Sequence, residues 1–208
     1  MILHMASPWF TAPVGLIVLI GFVLPGCGQE IVLEAGHTHV CLQDGPELDC
    51  RIVDRVADSW DYGQASEPEG IRVRTVSAGY GWTCAVRTDR TLACWGWEDA
   101  ERLEAPGGRF RSVHAGSNNT CALDADGYAT CWSACYWGEC DVPQDVAFST
   151  LAMTGHGGCG LRDSDGIAEC WGQAQLGEDR APAVPLLSIS ASSAAVCGLE
   201  QDSRVLCW

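Results

Sequence analysis

The chain has 208 residues, with 27 Asp and Glu against 12 basic residues, for a formal charge of −15. Every basic residue is Arg, spread through the chain, which excludes the concentrated positive surface that phosphate backbones require. Thirteen cysteines is an odd number, so at least one stands outside any set of intramolecular pairs.

Residues 1–27 contain no Asp, Glu, Lys or Arg, and Val14 to Leu24 forms an apolar run. The run suits a signal-peptide core and is well short of the roughly 20 residues that a spanning helix needs. It ends Leu24-Pro25-Gly26-Cys27, which resembles the lipobox of bacterial lipoproteins. The expectation is a signal peptide over 1–26, lipidation at Cys27, a short acylated N-terminus over 27–29 and a folded domain over 30–208. Plain secretion and a retained membrane helix are the alternatives. Gly28, in place of the Asp that holds some lipoproteins at the inner membrane, favours the outer membrane of a bacterial envelope.

From residue 30 onward one frame repeats five times. Its first cysteine falls at Cys41, Cys84, Cys121, Cys159 and Cys197, at intervals of 43, 37, 38 and 38 residues. Leu33, Val76, Val113, Leu151 and Ile189 each precede that cysteine by eight residues. The second cysteine, at Cys50, Cys94, Cys131, Cys170 and Cys207, is followed by Trp95, Trp132, Trp171 and Trp208 in four units and by Arg51 in the first. Each unit reads as three short strands, and units of strands at this period stack radially. The predicted fold is all-β, a β-propeller of about five short disulfide-stapled blades, closed as a five-bladed ring or left as an open arc completed by a second copy.

With Cys27 set aside, the remaining cysteines fall into neighbouring pairs: 41 with 50, 84 with 94, 121 with 131, 135 with 140, 159 with 170 and 197 with 207. In an exported chain these read as disulfides rather than metal ligands. The spacing around Ala125-Asp126-Gly127 places Gly127 where a three-residue hairpin needs positive φ. Asp124 to Gly127 and Asp163 to Gly166 open like calcium loops, but the continuation lacks the Glu and further oxygen ligands, and hairpin turns are expected instead. No metal and no cofactor is expected.

Tyr62-Gly63-Gln64, Trp137-Gly138-Glu139 and Leu176-Gly177-Glu178 share a connecting turn, so Trp137 is expected to be a structural plug. The motifs Ala78-Gly79, Thr83-Cys84-Ala85-Val86, Cys94-Trp95-Gly96, Cys170-Trp171-Gly172 and Leu176-Gly177-Glu178 resemble the regulator-of-chromosome-condensation repeat family, and the likeness runs over residues 30–208. The resemblance implies a propeller. The chromatin and GTPase roles of the family's eukaryotic namesake do not suit an acidic, exported chain. The bacterial branch also includes a protein inhibitor of β-lactamase, and none of its contact residues matches a motif in this sequence.

Catalysis is not expected. Inner strands carry few carboxylates, Glu34 being one, so the pair a glycosidase needs is missing, and no Ser, His and Asp set recurs. A binding module remains: one that recognises an unknown protein, or a lectin-like propeller that binds carbohydrate once per blade. The loops before the first cysteine differ in every unit, which suits one asymmetric protein partner. Tyr80 and Trp82 are the expected anchors on that face, with Trp97, His39 and Asn119 as further contacts. Membrane attachment is expected through lipid alone, and nucleic acid is not an expected partner.

Overall fold

The computed structural model describes residues 31–53, 61–97, 103–133, 135–173 and 180–208. The leader, Cys27 and the turn Leu176-Gly177-Glu178 lie outside them. Each repeat forms one three-stranded antiparallel sheet whose strands follow chain order. Blade 1 is β1 (Ile31–Ala35), β2 (His39–Asp44) and β3 (Glu47–Ile52); blade 2 is β4 (Val73–Ala78), β5 (Trp82–Arg87) and β6 (Leu92–Gly96). Blade 3 is β7 (Phe110–Ala115), β8 (Asn119–Asp124) and β9 (Ala129–Ser133). Blade 4 is β10 (Phe148–Met153), β11 (Gly157–Arg162) and β12 (Ala168–Gly172), and blade 5 is β13 (Leu186–Ala191), β14 (Val196–Glu200) and β15 (Val205–Cys207).

The cysteine columns face one another. Cys41 pairs with Cys50, Cys84 with Cys94, Cys121 with Cys131, Cys159 with Cys170 and Cys197 with Cys207 in the β-ladders. All five pairs are disulfides with Cα separations of 4.0 to 4.1 Å, the close approach of directly opposed residues on antiparallel strands. A sixth bond, Cys135–Cys140, straddles the turn after blade 3. Gly127 has φ +91°, as its hairpin position requires, and Gly45, Arg90, Gly166 and Ser203 hold positive φ in the other four hairpins.

Those hairpins also join the blades. The carbonyls of Pro46, Arg90, Gly127 and Gly166 accept the N–H groups of Val73, Phe110, Phe148 and Leu186, each the first residue of the next blade's inner strand. Apolar side chains fill the space between. Val73, Val76, Ala85, Ala93 and Trp95 of blade 2 pack on Cys41 and Cys50 of blade 1. Trp82, Cys84, Val86 and Leu92, on the other side of blade 2, pack on Phe110, Val113, Ala122 and Trp132 of blade 3. The same columns repeat between blades 3 and 4 and between blades 4 and 5. Among the described residues no cluster joins blade 5 to blade 1. Among the described residues the five blades therefore form an arc with four filled interfaces.

The inner strands β1, β4, β7, β10 and β13 together line one axial cavity of about 260 Å³. Position −1 relative to the apolar column carries Val32, Thr75, Ser112, Thr150 and Ser188, so four of its five residues are hydroxyl-bearing. Polar and apolar side chains share the axis: Thr75, Ser112 and Thr150 line the cavity beside Val76, Val113, Leu151 and Ile189.

Candidate recognition face

Antiparallel order puts the loop between the first and second strands at the same end of each blade as the exit from the third strand. Two aromatic pairs sit at that end near blades 1 and 2. His37 stacks on Tyr80 at a ring separation of 4.3 Å, and Tyr62 stacks on Trp97 at 4.8 Å. Gly81 lies beneath the second pair: a side chain there would meet Trp97 at 3.3 Å and Tyr62 at 3.5 Å, so glycine lets the loop pass under the rings without pushing on Trp97.

A more open group lies over blades 3 and 4. Tyr136 is 73% exposed and Trp137 58%, in the turn closed by Cys135–Cys140. Trp137 meets His156 of the blade 4 loop edge-on at 5.6 Å and Tyr136 at 6.4 Å. Glu139 fixes the turn from below. Its carboxylate is buried, Oε2 accepts the Trp137 N–H at 2.7 Å, and Oε1 lies 3.7 Å from His156 Nδ1. Gln64 does the same for the first unit, accepting the Tyr62 N–H at 2.7 Å and donating to Thr38 Oγ1 at 2.9 Å.

Trp137 is therefore not the buried plug that its place in the repeat suggested. The corresponding residue Tyr62 is covered by Trp97, which follows Gly96 at the end of β6. In blade 4 the residue following Gly172 is Gln173, so that position supplies no ring to stack on Trp137.

Three expected contacts move the other way. Trp82, His39 and Asn119 are fully buried, so they do not belong to an exposed surface. All three stand two residues before the first cysteine of their units, and there the side chain points into the next blade. His39 Nε2 meets Thr83 Oγ1 at 2.7 Å, Trp82 Nε1 donates to Thr120 Oγ1 at 2.9 Å, and Asn119 Nδ2 donates to the Gly157 carbonyl at 3.0 Å. They form latches between blades. Burial drives the His39 pKa down to about 4, so the ring is neutral at pH 7.

The opposite end of the blades is satisfied within itself. Asp124 Oδ1 accepts the N–H groups of Asp126 and Tyr128, each at 2.9 Å. Asp165 accepts the Ile167 N–H and pairs with Arg162 at 2.7 Å, and the Arg162 hydrogen bond holds its pKa below the usual carboxylate range. These carboxylates serve as turn caps rather than as the start of a calcium loop.

The whole arc superposes on solved propellers. It matches the ectodomain of the receptor kinase CR4 from Physcomitrella patens with TM-score 0.70 and 23% identity, over 93% of this chain and 54% of that one. The CRINKLY WD40 ectodomain of ACR4 from Arabidopsis thaliana gives 0.68 and 24%, over 87% and 66%. Prp20p from Saccharomyces cerevisiae, the yeast RCC1, gives 0.69 and 14%, over 87% and 58%. The fold is an RCC1-like repeat propeller. The propeller spans between 54% and 66% of the lengths of these three structures. No protein-family profile and no curated protein matches the chain. At these identities the RCC1-like likeness carries the architecture, and the recognition chemistry must come from the propeller's own surface.

Proposed function

We propose that this propeller is an exported binding module, lipid-anchored through Cys27 to a bacterial outer membrane, that recognises another protein through the aromatic end of its blades. The observation that carries the reading is the exposure of Tyr136 and Trp137, at 73% and 58%, on a turn pinned by a disulfide and a buried carboxylate. Aromatic side chains have few rotatable bonds and lose little freedom when a partner covers them, and such rings are the usual anchors of protein interfaces. Tyr80 and Trp97 extend the same face towards blade 2, each partly covered by a stacked neighbour. The six disulfides suit an oxidising compartment. The charge of −15 favours a partner with a basic surface and opposes nucleic acid. Prp20p, by comparison, is known with its binding to Gsp1p and histones.

The test is affinity capture from cell-envelope extracts with wild type and with Trp137→Ala and Tyr136→Ala. Each variant is expected to keep its far-UV circular dichroism and to lose at least about thirtyfold in affinity for the captured protein. Unchanged capture by both would move the site off this face. A glycan array run alongside addresses carbohydrate directly: retention of a glycan that depends on Trp137, with no captured protein, would make the module a lectin. Cys27→Ser is expected to release the protein from the membrane fraction, and retention there as an uncleaved chain would remove the lipid anchor.

A further inference from the structure

Blade 5 and blade 1 each present a face that no other described blade covers, and both faces continue the columns that fill the four interfaces. Towards the next blade those columns carry Cys84, Val86 and Leu92 in blade 2 and Cys159, Leu161 and Ala168 in blade 4, none more than 9% exposed. In blade 5 the same columns carry Cys197, Leu199 and Val205, and Val205 is 63% exposed. Leu187, at 59%, belongs to this side as well, since its counterpart in blade 3, Arg111, reaches across to the Phe148 carbonyl of blade 4.

Blade 1 is unfinished in the complementary sense. Towards the previous blade Val76, Val113, Leu151 and Ile189 are at most 7% exposed, whereas Leu33 in that column is only partly buried. Leu42 is exposed where Ala85 and Ala122 are fully buried. Asp49 and Arg51 stand on β3, the strand farthest from the axis, so they fall at the rim of this face, where charged groups keep their water.

The latches show which end fits which. His39 and Trp82 reach forward to Thr83 and Thr120, and Asn119 reaches the Gly157 carbonyl, so each polar latch meets a polar group. At the fourth interface the latch position holds Gly157, and the residue in the place of Thr83 and Thr120 is Val196, fully buried in the apolar cluster between blades 4 and 5. A latch without a polar group is thus matched by valine. Blade 5 carries Ala195 at the latch position, and blade 1 carries Val40, partly buried, at the receiving one. A His, Trp or Asn latch would lose its hydrogen bond against Val40, and Ala195 would not.

We propose that blade 5 of one copy of this chain docks on blade 1 of a second, so that copies associate head to tail through the same columns that join successive blades. The joint is heterologous, so a pair keeps one open face of each kind and can add further copies. Each copy carries a charge of −15, so the joint is expected to tighten as salt screens the repulsion. Capture of a basic partner at Trp137 would weaken with salt instead, which separates the two events.

The experiment is sedimentation velocity of the full, disulfide-bonded chain in a fixed amount of nonionic detergent, at protein concentrations from about 1 to about 200 µM. Wild type is expected to grow in mass with concentration. Val205→Arg and Leu42→Arg, both at exposed positions and both checked by near-UV circular dichroism, should each associate at least about tenfold more weakly. Mixed together they should form pairs and nothing larger, because one retains blade 1 and the other blade 5. Ala195→His should also weaken association, and adding Val40→Thr, which copies the His39–Thr83 latch, should restore it. A wild-type mass that does not change with concentration would overturn the proposal. So would full self-association of either Arg variant, a mixture that fails to pair, as a joint between two like faces would give, or indifference to Ala195→His.

Discussion

Arg51 and Trp95 occupy the same place in successive repeats, directly after the second cysteine, and their surroundings could hardly differ more. Trp95 is 7% exposed and packs on the disulfide sulfurs of blade 1. The Arg51 side chain is 76% exposed and reaches back 2.6 Å to Asp49 on its own strand. Neighbouring positions follow the same division. Leu42 is 42% exposed where the corresponding Ala85 is fully buried, and Val205 of blade 5 is 63% exposed where Leu92 is 9%. A blade is thus finished by its neighbour rather than by itself, which is how stacked repeats distribute their stability. On the side of blade 1 that no other described blade covers, the charged pair Asp49 and Arg51 takes the place of Ala93 and Trp95.

The sharpest way to break this comparison is Trp95→Ala beside Arg51→Ala. The first should cost about 3–5 kcal/mol, since it opens a cavity between two blades. The second should cost less than about 1 kcal/mol, because the ion pair it removes is exposed. Urea midpoints for the two variants decide the matter, and equal losses would mean that the blades are stable independently.

A second measurement uses protons. The His39 pKa falls from 6.5 to about 4 on burial, so between these values the unfolded chain takes up a proton that the folded chain refuses. Stability is therefore complete above pH 6.5 and declines as pH falls towards 4, by up to about 3 kcal/mol for a shift of this size. His114 acts in the same direction. Glu34, raised to about 7, acts in the opposite one, adding stability as pH falls from 7 towards 4.5. Comparing wild type with His39→Gln isolates the first contribution: the variant's midpoint should depend less steeply on pH over that interval. Parallel curves would show that the His39–Thr83 contact is open to water.

The smallest expected effect concerns the latches. Trp82→Phe removes the bond to Thr120 and leaves a small cavity where the indole lay, so the latch itself is read as the coupling energy with Thr120→Val, about 1 kcal/mol. Adding Thr120→Val should recover part of the loss. Additive losses in the double variant would show that the two groups do not interact.

Much of this architecture was legible in the sequence because a repeat supplies its own alignment. The cysteine columns placed the second and third strands of every blade. Gly127 located its hairpin through the backbone conformation that the turn demands. The exposed surface was not legible, for a physical reason. Residues that differ between units read as surface, yet His39, Trp82 and Asn119 are buried latches: the first two reach the threonine before the first cysteine of the next blade, Thr83 and Thr120, and the third reaches the Gly157 carbonyl. Conversely, Trp137 sits in a shared column with Tyr62 and reads as buried, but burial there depends on a ring supplied 35 residues later, at Trp97, that blade 4 replaces with Gln173. The available signal was the Cys135–Cys140 pair, which occurs in one unit only and marks a turn that needs more bracing than its counterparts.

Among the described residues, four interfaces connect the five blades as links in series. A pull applied between blades 1 and 5 would load every interface with the same force, and the weakest would yield first. The link between blades 4 and 5 is the one where glycine, at Gly157, stands in the latch position and extends no side chain into the next blade. Stretching in an optical trap should therefore peel blade 5 away before the others, in a step of its own, while the disulfide across each blade keeps the released hairpin from extending fully.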